Sequence, residues 1–264
     1  LIRLVFRRHV VGRSQARLIV QNDDDRQLLV RERMALEDQI VTICGAGVNL
    51  QKFSPQPFPK GEPVVLVHCR LLWDKGIGEL AAAARLLQQR QVVGRIVLVG
   101  MPDDANPAAI STEQLNEWVR AGLFEWRGHR DDIPDQLANC HIACLPSYRE
   151  GAPLSLIEAA ASGRPIVTTN VPGCREVVRH GDNGLLVPAR DAVALADALQ
   201  SLMQDTELRQ RMGARSRFWA EMRFDRALVL RETLRLYEQL IPQAPRCREA
   251  APADNSFLRQ EQSI

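Results

Sequence analysis

The chain has 264 residues, 45% of them hydrophobic and 25% charged. That is the balance of a soluble globular protein with room for one large domain or one and a half ordinary ones. The formal net charge of +2 is too small to argue for a nucleic-acid partner. The six cysteines form no CxxC pair and lie mostly in apolar runs, which reads as reduced thiols of a cytosolic protein rather than a disulfide frame or a zinc site. No apolar run reaches the ~18–20 residues that span a bilayer. The N-terminal stretch breaks at Arg7, Arg8 and His9, against a signal peptide. The first residue is Leu1 rather than Met, the reading expected of a fragment.

In chain order, the basic residues Arg3, Arg7, Arg8, Arg13 and Arg17 come first. They suit either an anionic lipid surface or a solvated helix face. One strand–helix–strand unit follows, with strands at 17–21 and 40–44 and a helix at 24–34, too little for a core of its own. Residues 53–63 hold four prolines and read as a linker. From residue 63 strand and helix alternate. Strands are expected at 64–69, 95–100, 142–145, 165–169 and 185–187. Helices are expected at 79–89, 112–121, 132–139, 154–162, 174–179 and 191–203, with Thr112 and Asp191 as caps. The unbroken apolar run 64–69 is that of a strand buried on both faces. Such alternation predicts an α/β fold with a Rossmann-like, doubly wound parallel sheet, its ligand at the carboxyl ends of the strands near a switch point. Residues 206–240 read as helical and Arg-rich. From Pro242 the composition turns to proline, alanine and charge, which predicts a disordered tail. The expected division is therefore 1–60, 61–222, a C-terminal helix 223–241 and a tail 242–264. No internal repeat is visible.

Two segments carry chemistry. In residues 146–165 a strand end leads through Gly151 into a helix with Pro153 near its first position. The amides of Leu154, Ser155 and Leu156 would be open donors at a positive helix end, suited to a diphosphate. Glu150 precedes this helix and Glu158 lies in its second turn. Carboxylates touching the phosphates would repel them, so these two must face neutral hydroxyls, one on the transferred sugar and one on a ribose. Residues 69–76 follow the first strand and bring Arg70 and Lys75 to the mouth of the same crevice. There a fork and a point charge would neutralise a nucleoside-diphosphate leaving group. Gly100 after the second strand, and Gly128 and Arg130 before the short helix, line the same edge and could hold a base.

The ordered set Arg70, Lys75-Gly76, 97–100, Gly128, Pro146-Ser147, Glu150-Gly151, Glu158-Ala159, Gly173, Glu176 and 184–188 resembles the C-terminal domain of family-4 retaining glycosyltransferases of the GT-B fold. Glu150 and Glu158 match the family's Glu-x7-Glu motif. The stretches at 71–76 and 106–109 resemble bacterial enzymes that build lipopolysaccharide, capsule or lipid-linked oligosaccharide. The resemblance covers roughly residues 17–240. It implies one complete GT-B domain plus a remnant of the other, metal-independent hexosyl transfer without a cofactor, and front-face chemistry. The donor would be a nucleotide sugar, UDP-linked first and GDP-linked second. The acceptor would be a saccharide or a lipid-linked saccharide. The implied roles are diphosphate binding by Arg70 and Lys75, sugar binding by Glu150 with Gly151, Ala152, Pro153 and Leu154, ribose binding by Glu158, and base contact by Arg130. Residues 45–49 resemble the loop that ends the N-terminal domain and approaches the phosphates, with Asn49 where the family has Asp.

Plainer readings compete at several positions. Glu158 alone would be an ordinary helix glutamate, and Glu150 alone a helix cap. Trp73 reads as packing, His68 as a satisfied core histidine, and His129 and His180 as solvent-side residues. Asp23, Asp24 and Asp25 superficially match a DxD metal motif, but directly before a helix they read as capping and dipole-complementing acids. A binding module without transfer activity, completed by a partner chain that supplies an N-terminal domain, is the second functional reading. A GT-B 2-epimerase is the third, and the Glu-x7-Glu spacing argues against it. The expected location is the cytoplasm, with peripheral contact on the inner face of the cytoplasmic membrane.

Overall fold

A computed structural model of the chain describes residues 2–13, 15–103 and 105–241; the expected tail at 242–264 and Cys247 lie outside the described residues. The first unit contains α1 (Ile2–Phe6), a π-helical turn (Arg7–Val11), β1 (Leu18–Val20), α2 (Asp23–Arg31) and β2 (Ile40–Thr42). Strands β1 and β2 pair in parallel over a small core of Val20, Ala35 and Ile40. The expected unit is present. Its helix, however, begins at Asp23 and is capped by Asn22, whose side chain accepts the Asp25 amide.

The main unit runs β3 (Val64–His68), α3 (Ile77–Gln89), β4 (Arg95–Val99), α4 (Thr112–Arg120), β5 (Glu125–Trp126), α5 (Ile133–Ala138), β6 (Ile142–Leu145), α6 (Leu154–Ala161), β7 (Ile166–Thr169), α7 (Cys174–Val177), β8 (Gly184–Val187) and α8 (Ala192–Gln204). Two long helices close the described chain, α9 (Thr206–Arg223) and α10 (Arg226–Leu240). The six strands form one parallel sheet in the order β5-β4-β3-β6-β7-β8. The chain winds outward from β3 to β5 and then returns to β3's other side, so the switch point lies between β3 and β6. In a right-handed doubly wound sheet this reversal opens a crevice at the strands' carboxyl ends.

Alternate residues of each strand feed two cores. Val65, Val67, Ile96 and Leu98 pack with α3, α4 and α8 on one face. Val64, Leu66, Val97 and Val99 pack with α6, α7 and Phe224 on the other. Burial on both faces is why these strands read as unbroken apolar runs rather than alternating ones.

Local differences from the sequence reading have local causes. Helix α4 is capped by Ser111, which is extended and accepts the Gln114 amide at 3.2 Å, and not by Thr112. Asp191 caps α8 as expected, accepting the Val193 and Ala194 amides. The proline-rich stretch is a packed strap rather than a loose linker. Phe53 is buried in the core, and Phe58 lies under the Arg164 guanidinium, 4.8 Å from it. The buried Arg164 in turn donates to the Leu137 and Ala138 carbonyls, satisfying the open end of α5. The helical stretch 206–240 is broken at Phe224 and Asp225, because Val48 takes up the backbone there: its amide donates to Phe224 O at 2.7 Å and its carbonyl accepts the Arg226 amide.

Candidate functional site

The crevice is built by two loops laced together over the switch point. One, residues 69–76, leaves β3. The other, 146–152, leaves β6. The Tyr148 amide and the Ser147 hydroxyl both donate to the Asp74 carbonyl, and Tyr148 Oη donates to Glu79 at 2.7 Å. Gly76 sits at φ +72°, and a Cβ there would strike the Pro146 carbonyl. Only glycine lets the two loops approach this closely.

This lacing sets the charges. Lys75 Nζ donates to Glu150 Oε1 at 2.6 Å, with side chains 16% and 12% exposed. His68 Nε2 meets Glu158 Oε2 at 3.1 Å. Each of the two sequence-predicted carboxylates is thus held by a basic side chain from the loop or strand end of β3. Arg70 lies further out, 62% exposed and paired with Asp103 at 3.1 Å.

Beyond Arg70 a cleft of about 420 Å³ runs between Gly100, Met101, Asp103, His129 and Arg130. The Gly100 amide donates to the Gly128 carbonyl and Trp126 Nε1 to the Gly100 carbonyl, so the predicted base-side segments meet. Arg130 forks onto Asp132 with two bonds of 2.8 Å, which holds that carboxyl well below the usual range. Cys69 shares this cleft, and burial, ahead of its charged neighbours, pushes its thiol up to about 12. Cys140 and Cys174 are buried with thiols pushed up to about 12 and about 11 by the same cause, and among the described residues no disulfide forms.

A larger cleft, about 590 Å³, opens at the opposite ends of the strands. Two of its cations, Arg95 and Arg127, both hold Glu125. His141 uses both ring nitrogens, one on the Val64 amide and one on the Pro59 carbonyl.

At the head of α6 the structure refines the predicted anion site. Pro153 is the N-cap, one position earlier than expected. Its carbonyl accepts the Leu156 and Ile157 amides, so the Leu156 amide is not open. Helix geometry leaves Leu154 and Ser155 open. Among the described residues the Gly151 and Ala152 amides also find no acceptor. The loop is braced from below by the Glu150 amide on the Pro172 carbonyl, and by Gly173, at φ +79°, pressed against the Glu150 carbonyl.

The first unit reaches the same loop, which the sequence did not disclose. Asn22 Nδ2 donates to the Gly151 carbonyl at 3.0 Å. Asp25 pairs with Arg149 and Asp24 with Arg175, so these acids serve as ion-pair partners rather than caps. The 45–49 loop reaches the 146–152 loop and α6, with Gly45 against Ala152 and Ile157. Asn49 accepts the Gln51 and Lys52 amides and acts as a turn residue.

The remaining candidates resolve simply. Trp73 packs edge-on against Trp118. His129 is exposed beside Asp131, and His180 Nδ1 accepts the Leu186 amide. His68 is satisfied, but by Glu158 and not by the core. Its position two residues before Arg70 at a strand end was the available signal. For Asn22 the signal was an asparagine directly before an acid-rich helix turn.

The family model described as "Glycosyl transferases group 1" matches residues 48–219. The N,N'-diacetylbacillosaminyl-diphospho-undecaprenol alpha-1,3-N-acetylgalactosaminyltransferase of Campylobacter jejuni is 34% identical over 218 residues, which cover 78% of this chain and 56% of that protein. The capsular polysaccharide biosynthesis glycosyltransferase CapM of Staphylococcus aureus is 26% identical over 176 residues, covering 66% of this chain and 46% of that protein. The chain thus spans about half the length of the curated relatives it matches. Among solved structures, sucrose-phosphate synthase of Thermosynechococcus elongatus superposes with a TM-score of 0.73 at 27% identity, covering 84% of this chain and 57% of that one. HepE of Anabaena, solved in complex with UDP, gives 0.74 at 22% identity over 85% of this chain and 64% of that one, a likeness of fold alone.

Proposed function

The chain belongs to the group 1 glycosyltransferases, and from that premise we propose that its crevice binds a nucleotide-sugar donor for transfer to a saccharide or lipid-linked acceptor in bacterial cell-surface polysaccharide synthesis. The observation that carries this reading is the Lys75–Glu150 pair at the switch point, set beside the open amides at the head of α6. It offers a cation for a phosphate, a carboxylate for a sugar hydroxyl, and donors for the oxygens between them.

On donor binding, a phosphate oxygen takes Glu150's place on Lys75, and Glu150 is released to accept from the sugar. Arg70 exchanges Asp103 for the diphosphate. Glu158, steadied by His68, takes the ribose hydroxyls, and the cleft beyond Arg70 takes the base. In a retaining, front-face transfer the anomeric carbon–oxygen bond breaks and its electron pair leaves with the nucleoside diphosphate. The acceptor oxygen bonds the same face of that carbon, and its proton passes to the departing phosphate oxygen. Negative charge grows where Lys75 and Arg70 stand, which is where fixed cations lower a barrier. We assign that charge neutralisation to these two residues rather than to a metal ion; donor affinity unchanged by EDTA is the expected result. UDP is the preferred nucleotide in this reading, on the resemblance to family-4 glycosyltransferases. No described helix is long and apolar enough to cross a membrane. For contact with a lipid-linked acceptor the basic residues Arg3, Arg7 and Arg8 are the candidates.

Calorimetric titration with UDP- and GDP-sugars tests the reading. Saturable binding of one class, abolished in Lys75→Ala, is expected; no binding of any nucleotide overturns it. A second reading is favoured by the chain's span of about half its relatives: these residues bind donor but transfer nothing without a partner segment. Incubation with labelled donor and lipid-linked acceptor separates the two, since product formed by this chain alone excludes the second.

A further inference from the structure

Asn22 does more than a helix cap requires. Its Oδ1 accepts the Asp25 amide at 2.8 Å, and that bond alone completes an N-cap. Its Nδ2 makes two further bonds, to Asp25 Oδ2 at 2.9 Å and to the Gly151 carbonyl at 3.0 Å. Asn22 is fully buried, so these partners are fixed. Aspartate would cap as well but cannot donate, and serine is shorter by one atom. The asparagine is therefore matched to the second task, holding a carbonyl 129 residues away.

That carbonyl belongs to the Gly151–Ala152 peptide. The unit is planar and trans, so its C=O and N–H point in opposite directions. Holding the carbonyl on Asn22 fixes the Ala152 N–H away from it, and this N–H has no acceptor among the described residues. The grip brackets Glu150. On one side Arg149 is held by Asp25 at 2.6 Å, and on the other Gly151 is held by Asn22. The Gln21 side chain lies close over Gly151 on the same side.

We propose that Asn22, from outside the family-matched segment 48–219, is a positioning residue for the donor sugar: it presets the Ala152 N–H as a hydrogen-bond donor to a sugar oxygen. This rests on the donor-binding reading given above. The first unit thereby contributes to recognition of the transferred sugar through the loop it grips, without touching the nucleotide. A preset donor forms its bond with little ordering cost, so removing the preset weakens sugar binding selectively.

The test compares UDP with UDP-glucose and UDP-N-acetylgalactosamine by calorimetry, on the wild-type chain and on Asn22→Asp and Asn22→Ser. Both substitutions keep a capping oxygen, and thermal unfolding checks that the fold is retained. The wild type is expected to bind one sugar nucleotide more tightly than UDP. Both variants should keep UDP affinity within about twofold and lose about tenfold of that sugar advantage, the worth of one good hydrogen bond. UDP and sugar-nucleotide affinities that fall together, or a sugar advantage that survives in both variants, would overturn the proposal. So would a wild-type chain that binds UDP but gains nothing from the sugar, an outcome that leaves donor binding standing. A wild-type chain that binds no nucleotide removes the donor-binding reading itself.

Discussion

The two ion pairs of the loops that leave β3 and β6 hold their charges in opposite ways. Lys75 and Glu150 pair at 2.6 Å, each less than one-fifth exposed, on loops locked by Ser147, Tyr148, Gly76 and Gly173. Arg70 stands 62% exposed and reaches Asp103 at 3.1 Å. A sheltered pair is costly to break and arrives preset. An exposed pair is worth little and exchanges partners readily. In the proposed reading a donor phosphate must therefore open a sheltered pair to reach Lys75, whereas Arg70 exchanges its partner at little cost.

The sharpest way to break this comparison is a double-mutant cycle on Lys75 and Glu150. Lys75→Ala alone leaves a largely buried carboxylate unpaired and should cost about 3 kcal/mol of stability by denaturant unfolding. Adding Glu150→Ala should restore much of it. Strictly additive losses would show that the pair is not coupled. The next largest effect belongs to Arg70→Ala. It should leave unfolding stability within about 0.5 kcal/mol yet lower nucleoside-diphosphate affinity at least tenfold, about 1.4 kcal/mol. Unchanged affinity would place the diphosphate elsewhere.

The smallest expected effect serves as a control at the far end of the sheet. Burial depresses the His141 pKa below its ordinary value near 6.5, and its Nδ1 must stay unprotonated to accept the Val64 amide. The unfolded chain then binds the proton more readily than the folded one. Stability is therefore full above about pH 6.5 and falls as pH drops toward the depressed folded value. In His141→Asn this part of the pH slope should vanish while donor affinity stays as in the wild type. A slope that persists would assign the titration to another group.

Much of this molecule was legible before any fold was seen. The strands of the main unit were readable because burial on both faces leaves unbroken apolar runs. Lys75, Glu150 and Glu158 stood out as candidates because charge beside a strand end and a helix start has few structural uses. The cap of α4 slipped by one residue because Ser111 and Thr112 can both cap, and only backbone conformation separates them. Asn22 was hidden for a different reason. Its cap role is local, but its bond to Gly151 spans 129 residues, and no spacing rule encodes that distance.

By itself, the sequence determined the alternating α/β architecture, which follows from local periodicity, and it nominated the charged residues at the strands' carboxyl ends as the candidate site. Only the tertiary structure decided which charge pairs with which, that the proline-rich stretch is a packed strap, and that the first unit grips the Glu150 loop. Those choices depend on distances between segments remote in sequence, and such distances are set by packing the two cores rather than by local preference.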